Sequence, residues 1–466
     1  MLEWAGALAS VALPWLAGTL AVLALARGRG VAPAYAIGYG YLIGAFATTL
    51  AMRAFDLAGI RWSALPLGAL LLLVCAGLGW SVRHTREAGI RPGAALRLRD
   101  AERPLRLLGW VCLALVVVRL GGLALEVLWR PLLPWDAWAQ WATKARVWYE
   151  YRSLAPFVSA PEWLRSDSAM RFVDMHSHYP GTVPLLQVWT NLWLGHWNES
   201  LMNLPWIATG VALALAFHVQ LRRAGAGPVY ALVCTYLLLS LPFLDVHLAI
   251  AGVADIFVAA SYALAAMSLW RWAATREPTD LVLGLAMAIV CASVKVEGML
   301  WAATLLPGVL VAWRRRLGLA LIVAAVAAAI IYLLFGPARL RLLGYVLETR
   351  FRNVSLPLLQ HMFVMDNWHL LWYVVVATLA FHARRLFAPQ FAPMTATMLA
   401  GWGFVFVVFF FSNASGGVDD ETLVNRLPFH FVPALAYYLA VLWLPPAGAR
   451  RNDTAAETGA GAATGG

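Results

Sequence analysis

The chain has 466 residues, of which 62% are hydrophobic and 13% charged, whereas soluble globular proteins are about 45–50% apolar and about 25% charged. This composition excludes an ordinary soluble protein and indicates a lipid bilayer as a partner. The formal net charge of +11 lies in short basic blocks between apolar stretches, so it indicates membrane topology and argues against a nucleic-acid partner.

Membrane-spanning helices are predicted wherever about 20 apolar residues follow one another, because a helix rises about 1.5 Å per residue. Thirteen stretches fit, so the predicted fold class is an all-α polytopic integral membrane protein with about thirteen transmembrane helices. The stretches lie near residues 3–26, 31–52, 63–82, 107–129, 199–221, 228–249, 254–273, 279–293, 297–313, 317–336, 368–383, 392–412 and 428–445.

One further apolar stretch, residues 181–195, decides the predicted topology, because counting it as a span moves every later loop to the opposite side. If it does not span, eleven arginines of the later loops face the cytoplasm and five face outward, in agreement with the positive-inside rule. We therefore interpret 181–195 as an interfacial or re-entrant helix. The N-terminus is then predicted outside and the C-terminus in the cytoplasm.

Three regions are predicted along the chain. Residues 1–106 form an N-terminal three-helix addition with a basic cytoplasmic loop at 83–106. Residues 107–445 form a transmembrane core with external loops at 130–180, 337–367 and 413–427, and residues 446–466, which are small and polar, form a disordered cytoplasmic tail.

The first external loop opens with an aromatic segment that is predicted to lie as a helix in the membrane interface. Its apolar face consists of Trp138, Trp141, Ala145 and Trp148, and its polar face of Asp136, Gln140 and Lys144. Two interpretations of Asp136 stay open. It is either a helix N-cap worth about 1 kcal/mol or a carboxylate that faces water or substrate.

Other charged and polar residues also have two interpretations. His176 and His178 could ligate a metal only in extended backbone, and the alternative is an ordinary surface or core position. Lys295 and Glu297 lie at the end of a predicted span, where a charge costs about 2.5–3.5 kcal/mol and needs a partner or a function. Their alternative is an interfacial pair whose side chains reach water.

Four features in chain order resemble the C-type glycosyltransferase (GT-C) superfamily, which includes protein mannosyltransferases and the lipid A aminoarabinose transferase. The resemblance extends over residues 107–445. The first feature is an external loop that opens with Trp135, Asp136, Ala137 and Trp138, continues through Lys144 and closes on His178, Tyr179 and Pro180. The second is a turn before Asp255, and the third is the element Lys295, Glu297 and Gly298. The fourth is a closing span near Arg426.

The resemblance implies transfer of a sugar from a polyprenyl-phosphate donor to a glycan, lipid or protein acceptor at the periplasmic face of a bacterial inner membrane. It implies two catalytic residues, Asp136 and Asp255, with Asp136 as the base. The implied substrate-binding residues are Lys144, His178, Tyr179, Lys295, Glu297 and Arg426, of which Arg426 holds the lipid phosphate with help from Lys295.

The chain departs from the superfamily in two respects. Four predicted spans, instead of one, precede the catalytic loop. Asp255 also lacks the second acidic residue of a DxD or DxE pair, so the sequence assigns no cofactor and leaves a divalent metal open.

Two other functions stay open: a solute transporter in which Arg119, Lys295 and Glu297 line a pathway, and an oligosaccharide polymerase or ligase. The large external loops and the lack of a visible internal repeat argue against the transporter.

Overall fold

A computed structural model of the protein describes residues 2–26, 32–84, 98, 102–342 and 345–445. The predicted tail at 446–466 and residues 85–97 of the basic loop lie outside the described residues. The described chain is mostly helical, and its sheet is limited to two small strand pairs.

The helices are α1 (Leu2–Leu25), α2 (Pro33–Leu57), α3 (Ala64–His84), α4 (Arg103–Trp129), α5 (Ala142–Tyr151), α6 (Ala160–Leu164), α7 (Thr182–Leu194), α8 (Leu204–Arg223), α9 (Pro228–Leu239), α10 (Pro242–Ala249), α11 (Asp255–Thr275), α12 (Pro278–Val294), α13 (Val296–Ala303), α14 (Leu306–Trp313), α15 (Arg315–Phe335), α16 (Ser355–Leu359), α17 (Leu371–Leu386), α18 (Ala392–Phe410), α19 (Gly416–Asp419), α20 (Arg426–Phe429) and α21 (Val432–Leu442). Ala137–Trp141 and Gln360–Val364 are π-helical, and Leu201–Asn203 and Asn413–Ser415 are 3-10 turns. The strands β1 (Phe157–Val158) and β2 (Phe172–Val173) pair in parallel, and β3 (Arg339–Leu342) and β4 (Tyr345–Glu348) form an antiparallel pair in which Arg339 lies opposite Glu348.

Nine helices of the described chain are long and apolar enough to cross a membrane, or ten if α9 and α10, which are bent by 66°, form one span. Each of the thirteen predicted stretches coincides with a helix or a pair of consecutive helices. Three of these helices are shorter than a full span, since α12 has 17 residues, α17 has 16 and α21 has 11. The all-α polytopic class is therefore confirmed, and the count of thirteen stays a prediction.

Helix α7 corresponds to the stretch on which the predicted topology depends. Its 13 residues span about 20 Å, whereas the hydrocarbon core of a bilayer is about 30 Å thick. All of its residues except Trp193 are buried, because α1, α2 and α5 pack around it. The helix therefore does not lie on a surface as an interfacial helix does, and the re-entrant interpretation stays a prediction.

Helix α2 is part of the main hydrophobic core. Tyr39 of α2 is fully buried in the same cluster as Phe217 of α8 and Tyr262 of α11. A buried polar network also joins α2, α8 and α12, because Tyr35 donates to Asp280 at 2.8 Å and Arg223 donates to both oxygens of Asp280 at 2.7 and 2.9 Å. Helix α2 therefore packs against helices that follow residue 106, and the division of the chain at that residue stays a prediction.

The helix bundle has two chemically different ends. Helix α11 runs from Asp255 at one end to Thr275 at the other, where arginines connect the ends of neighbouring helices by donating to backbone carbonyls. These contacts join Arg276 to Ala312, Arg315 to Phe387 and Arg385 to Leu444. Three of the arginines for which the sequence predicts a cytoplasmic position therefore lie at the end opposite Asp255.

Candidate functional site

Asp255 is fully buried at the first position of α11, where the helix dipole favours a negative charge. The chain reaches it through Gly252, whose φ of 112° is a left-handed value that glycine adopts readily. A Cβ at Gly252 would lie 2.8 Å from the Cβ of Ala137. Glycine therefore allows the N-terminus of α11 to approach the π-helical turn that follows Asp136.

Arg426 joins the two carboxylates that the resemblance makes catalytic. Its Nη2 donates to Asp136 Oδ2 at 2.7 Å and to Asp255 Oδ2 at 2.8 Å. The side chain of Asp136 is 29% exposed, whereas that of Asp255 is 0% exposed. Within the described residues the Nε and Nη1 atoms of Arg426 make no hydrogen bond, so both are available to an anion.

Lys295 is an extended residue between α12 and α13, and its Nζ donates to Asp255 Oδ1 at 3.2 Å. The same Nζ lies 3.6 Å from Glu297 Oε1. Gly298 allows this break, because a Cβ there would overlap the carbonyl oxygen of Cys291. Lys295 and Glu297 are only 5% and 8% exposed, so their interpretation as an interfacial pair reaching water is wrong.

Tyr179 connects the first external loop to the pair formed by Lys295 and Glu297. Its hydroxyl donates to Glu297 Oε1 at 3.0 Å, and its ring packs 5.6 Å from that of Trp141. The other carboxylate oxygen, Glu297 Oε2, is buried and has no partner within the described residues. A buried acceptor of this kind favours a ligand that brings a hydroxyl group.

His430 is a residue that the sequence analysis missed, and it supports Asp255 from the opposite side. The indole N–H of Trp301 donates to His430 Nδ1 at 2.9 Å, and His430 Nε2 lies 2.8 Å from Asp255 Oδ1. Since an indole can only donate, Nδ1 is the acceptor and Nε2 carries the proton that is donated to Asp255. Trp301 therefore fixes the tautomer of His430.

We call Asp136, Asp255, Lys295, Glu297 and Arg426 the charged cluster. A cleft of about 250 Å³ opens onto it on the Asp136 side and is lined by Pro134, Trp135, Asp136, Val246, His247, Ile250, Val253 and Arg426. A much smaller pocket lies on the Asp255 side, where Tyr345 of β4 covers Lys295 and Glu297. Arg426 lines both spaces, so it separates the open cleft from the enclosed pocket.

The surroundings of the charged cluster fix the protonation of three side chains. The Asp255 carboxylate raises the pKa of Arg426 above its usual range, so the guanidinium keeps its charge. Burial, reinforced by Glu297, raises the pKa of Tyr179 and of Tyr345. Both phenols therefore remain hydrogen-bond donors at neutral pH.

The N-cap interpretation of Asp136 is wrong, and its interpretation as a carboxylate that faces water or substrate stays a prediction. Asp136 has helical dihedral angles, φ −59° and ψ −30°, and its side chain makes no capping hydrogen bond. The predicted faces of the segment are also corrected: Gln140 and Lys144 are buried, whereas Trp138 is 52% exposed. The reason is the π-helical turn Ala137–Trp141, whose wider winding changes the periodicity on which the prediction rests.

Lys144 and His178, predicted to bind substrate, lie apart from the charged cluster. Lys144 Nζ is buried, lies 2.5 Å from Asp174 Oδ2 and donates to the backbone carbonyl of His176 at 2.8 Å. It therefore holds the external loop and does not face the cleft. His178 is exposed on the same loop, in turns and not in the extended backbone that a metal pair with His176 requires.

A metal-binding group is not found in the described part of the chain, where no three His, Cys, Asp or Glu side chains are arranged to hold an ion. The cations Lys295 and Arg426 contact the Asp255 carboxylate instead. Arg119, which the sequence left unassigned, forms an ion pair with Asp245 of α10.

No family model, curated protein or solved structure matches the chain. The resemblance to the GT-C superfamily therefore stays a prediction that rests on the residues themselves.

Proposed function

We propose that the protein is a GT-C-type glycosyltransferase that moves a sugar from a polyprenyl-phosphate donor to an acceptor at the outer face of a bacterial inner membrane. The observation that carries this proposal is the position of Arg426 between Asp136 and Asp255. One cleft at the end of a membrane bundle thus holds a cation for a phosphate beside a carboxylate able to act as a base.

In the proposed reaction the Asp136 carboxylate accepts the proton of an acceptor hydroxyl while the hydroxyl oxygen attacks the anomeric carbon of the donor sugar. The bond from that carbon to the phosphate oxygen breaks, and its electron pair leaves with the lipid phosphate. Arg426 and Lys295 stabilise the charge on this leaving group. General-base assistance of this kind contributes about 10²- to 10⁴-fold to the rate.

The proposed roles of the acidic residues differ because their environments differ. Asp255 is buried and both its oxygens have partners, so we assign it to positioning Arg426 and Lys295. Glu297 Oε2 is the proposed acceptor for a hydroxyl of the transferred sugar, and Tyr179 orients that carboxylate. His178, which is exposed on the first external loop, is proposed to contact the acceptor.

An apolar groove near the charged cluster supports a lipid-linked donor. The groove has a volume of about 380 Å³ and is lined by side chains of α9, α17 and α21 together with Trp368. Trp368 packs against Phe243 at 5.2 Å, and Phe243 packs at 4.5 Å against His247, which lines the Asp136 cleft. A long isoprenoid chain could therefore lie in the groove while its phosphate reaches Arg426.

The proposed orientation places the N-terminus outside, the C-terminus in the cytoplasm and thirteen segments across the membrane. Its support is the separation of charges between the two ends of the bundle. The arginine-rich helix ends lie opposite the charged cluster, as the positive-inside rule requires for a site on the outer face.

The test is sugar transfer by purified protein in nanodiscs supplied with a radiolabelled polyprenyl-phosphate sugar and an envelope lipid extract. Asp136→Asn keeps the size of the side chain and a hydrogen bond to Arg426 but removes the base. We expect transfer to fall by at least about 10²-fold while thermal stability changes little. Asp167→Asn is the matched control, because Asp167 is an exposed aspartate of the same external loop.

Normal sugar transfer by the Asp136→Asn variant would show that Asp136 is not the base of the reaction. Uptake of a solute into sealed vesicles without any transfer product would favour the transporter. Formation of long glycan chains from the lipid-linked donor alone would favour the polymerase.

A further inference from the structure

A second open cleft lies beside the Asp136 cleft at the same end of the bundle. It has a volume of about 290 Å³, near the lower end of the range of about 300–1,000 Å³ that small-ligand sites occupy. Its walls are the segment after α4, the start of α5 and the turn after α7. The side chains that line it include Trp138, Arg146, Trp197 and Glu199.

The walls of this cleft are held in place by hydrogen bonds. The indole N–H of Trp138 donates to the carbonyl of Leu132 at 2.9 Å, which fixes the ring although 52% of the residue is exposed. Ser200, next to Glu199, donates to the carbonyl of Arg130 at 3.0 Å. The cleft therefore exists before any ligand binds.

The chemistry of the cleft fits a sugar ring. A sugar has an apolar face of C–H groups and a rim of hydroxyls, so it suits aromatic rings next to charged hydrogen-bonding groups. Trp138 and Trp197 supply the rings. The guanidinium of Arg146 lies over the Trp197 ring at 5.0 Å and pairs with Glu150 at 2.9 Å, and the carboxylate of Glu199 is exposed.

The two clefts share a wall. Trp135 lines the Asp136 cleft and Trp138 lines the second one, and the centroids of their rings are 6.4 Å apart. A ligand in the second cleft is therefore separated from the Asp136 cleft by Trp135 and Trp138. Since the donor phosphate is assigned to Arg426, the second cleft is the space left for the other substrate.

We infer that the cleft between Trp138 and Trp197 binds a sugar ring of the acceptor. The inference rests on the proposed function and names the acceptor class, a glycan or a glycolipid whose sugar lies at the membrane surface. Its hydroxyls would bond to Glu199 and Arg146 while its C–H face stacks on the Trp138 indole, and Trp197 would hold the Arg146 guanidinium in place.

The test is saturation-transfer NMR on the full chain in phosphatidylcholine nanodiscs with methyl glycosides of a hexose, a pentose and an amino sugar as probes. We expect at least one glycoside to bind, and Trp138→Ala and Trp197→Ala each to weaken its binding by about threefold to tenfold. Glu199→Gln, a mild change at an exposed side chain, should weaken binding as well without affecting folding.

Trp163→Ala is the control and should bind like the wild type. Trp163 belongs to the same external loop, is 45% exposed and also donates to a backbone carbonyl, that of Arg171 at 3.1 Å, but it lines neither cleft. Binding that is equal in all variants, or that disappears when phosphatidylglycerol is added, would overturn the inference, the latter because it would identify a headgroup site.

The outcomes separate this inference from the proposed function. If glycoside binding depends on Trp138 but the protein has no transfer activity, the sugar-binding cleft is supported and the proposed transferase function is wrong. If the protein transfers sugar and the acceptor KM is unchanged in both tryptophan variants, the transferase function is supported and the cleft is not the acceptor site.

Discussion

A single nitrogen of Arg426 donates to both Asp136 and Asp255, at 2.7 and 2.8 Å. The planar guanidinium has further N–H groups in a fixed fork, so it can hold a phosphate while it stays paired with Asp255. A lysine would keep the positive charge beside the buried carboxylate but would offer only a compact ammonium. The substitution Arg426→Lys therefore tests whether phosphate binding needs only the positive charge or also the planar geometry of the guanidinium.

We expect Arg426→Lys to raise the KM for the polyprenyl-phosphate donor by at least about tenfold, since a hydrogen bond to a charged group is worth about 1.5–3 kcal/mol. Folding should be kept because Asp255 retains Lys295 and His430 as partners. The measurement is the donor KM in nanodiscs, with Arg350→Lys in an exposed part of the second large external loop as the control. Equal donor KM values in both variants would argue against phosphate binding by Arg426.

Two arguments selected the members of the charged cluster: an isolated charge at membrane depth needs a reason, which indicated Lys295 and Glu297, and the resemblance supplied Asp136, Asp255 and Arg426. They could not predict that one arginine would join two carboxylates 290 and 171 positions away. His430 did leave a signal, since it follows Arg426 by four residues, a spacing that puts side chains on one helical face. The covering position of Tyr345 left none, because it depends on the packing of a distant hairpin.

At the scale of elements, the external loop depends on a buried ion pair. Lys144 of α5 and Asp174 after β2 are 2% and 0% exposed at the side chain, and their charged atoms lie 2.5 Å apart. The backbone of His176 makes two hydrogen bonds to the pair: its N–H donates to Asp174 at 3.0 Å, and its carbonyl accepts from Lys144. The pair therefore sets the path of the chain that leads to Tyr179.

We expect Lys144→Met to destabilise the protein by about 3–5 kcal/mol, because it leaves the carboxylate of Asp174 buried without its cation. The double variant Lys144→Met with Asp174→Leu should recover most of this loss, since it buries no charge. Thermal unfolding of both variants in one detergent measures the difference. If the double variant is no more stable than Lys144→Met alone, the buried charge is not the cause.

Element positions were predictable to different degrees for physical reasons. Long apolar stretches such as those of α4 and α15 give a strong signal, because lipid requires a continuous helix. The faces of the segment after Asp136 were not predictable, since a local π-helical turn is not encoded in apolar spacing. The break at Lys295 was predictable, because the apolar stretches 279–293 and 297–313 end and begin on either side of it.

At the scale of the whole molecule, α7 connects the fold to the function. The helix is buried between the N-terminal helices and α5, so the first external loop and the turn after α7 pack on one end of the bundle. Trp189 of α7 donates to the carbonyl of Ser10 at 2.7 Å, which fixes this helix to α1. We therefore predict that α7 does not cross the membrane and that the chain returns to the side from which it entered.

The sidedness that follows is testable by cysteine labelling in a variant without the native Cys75, Cys112, Cys234 and Cys291. The labelling positions are the exposed residues Ser168 before α7, His196 after α7 and Arg314 at the arginine-rich end. We expect an impermeant maleimide to label Ser168→Cys and His196→Cys in spheroplasts and to label Arg314→Cys only after permeabilisation. Labelling of Ser168→Cys and His196→Cys from opposite sides would mean that α7 crosses the membrane, and the charged cluster would then lose its assignment to the outer face.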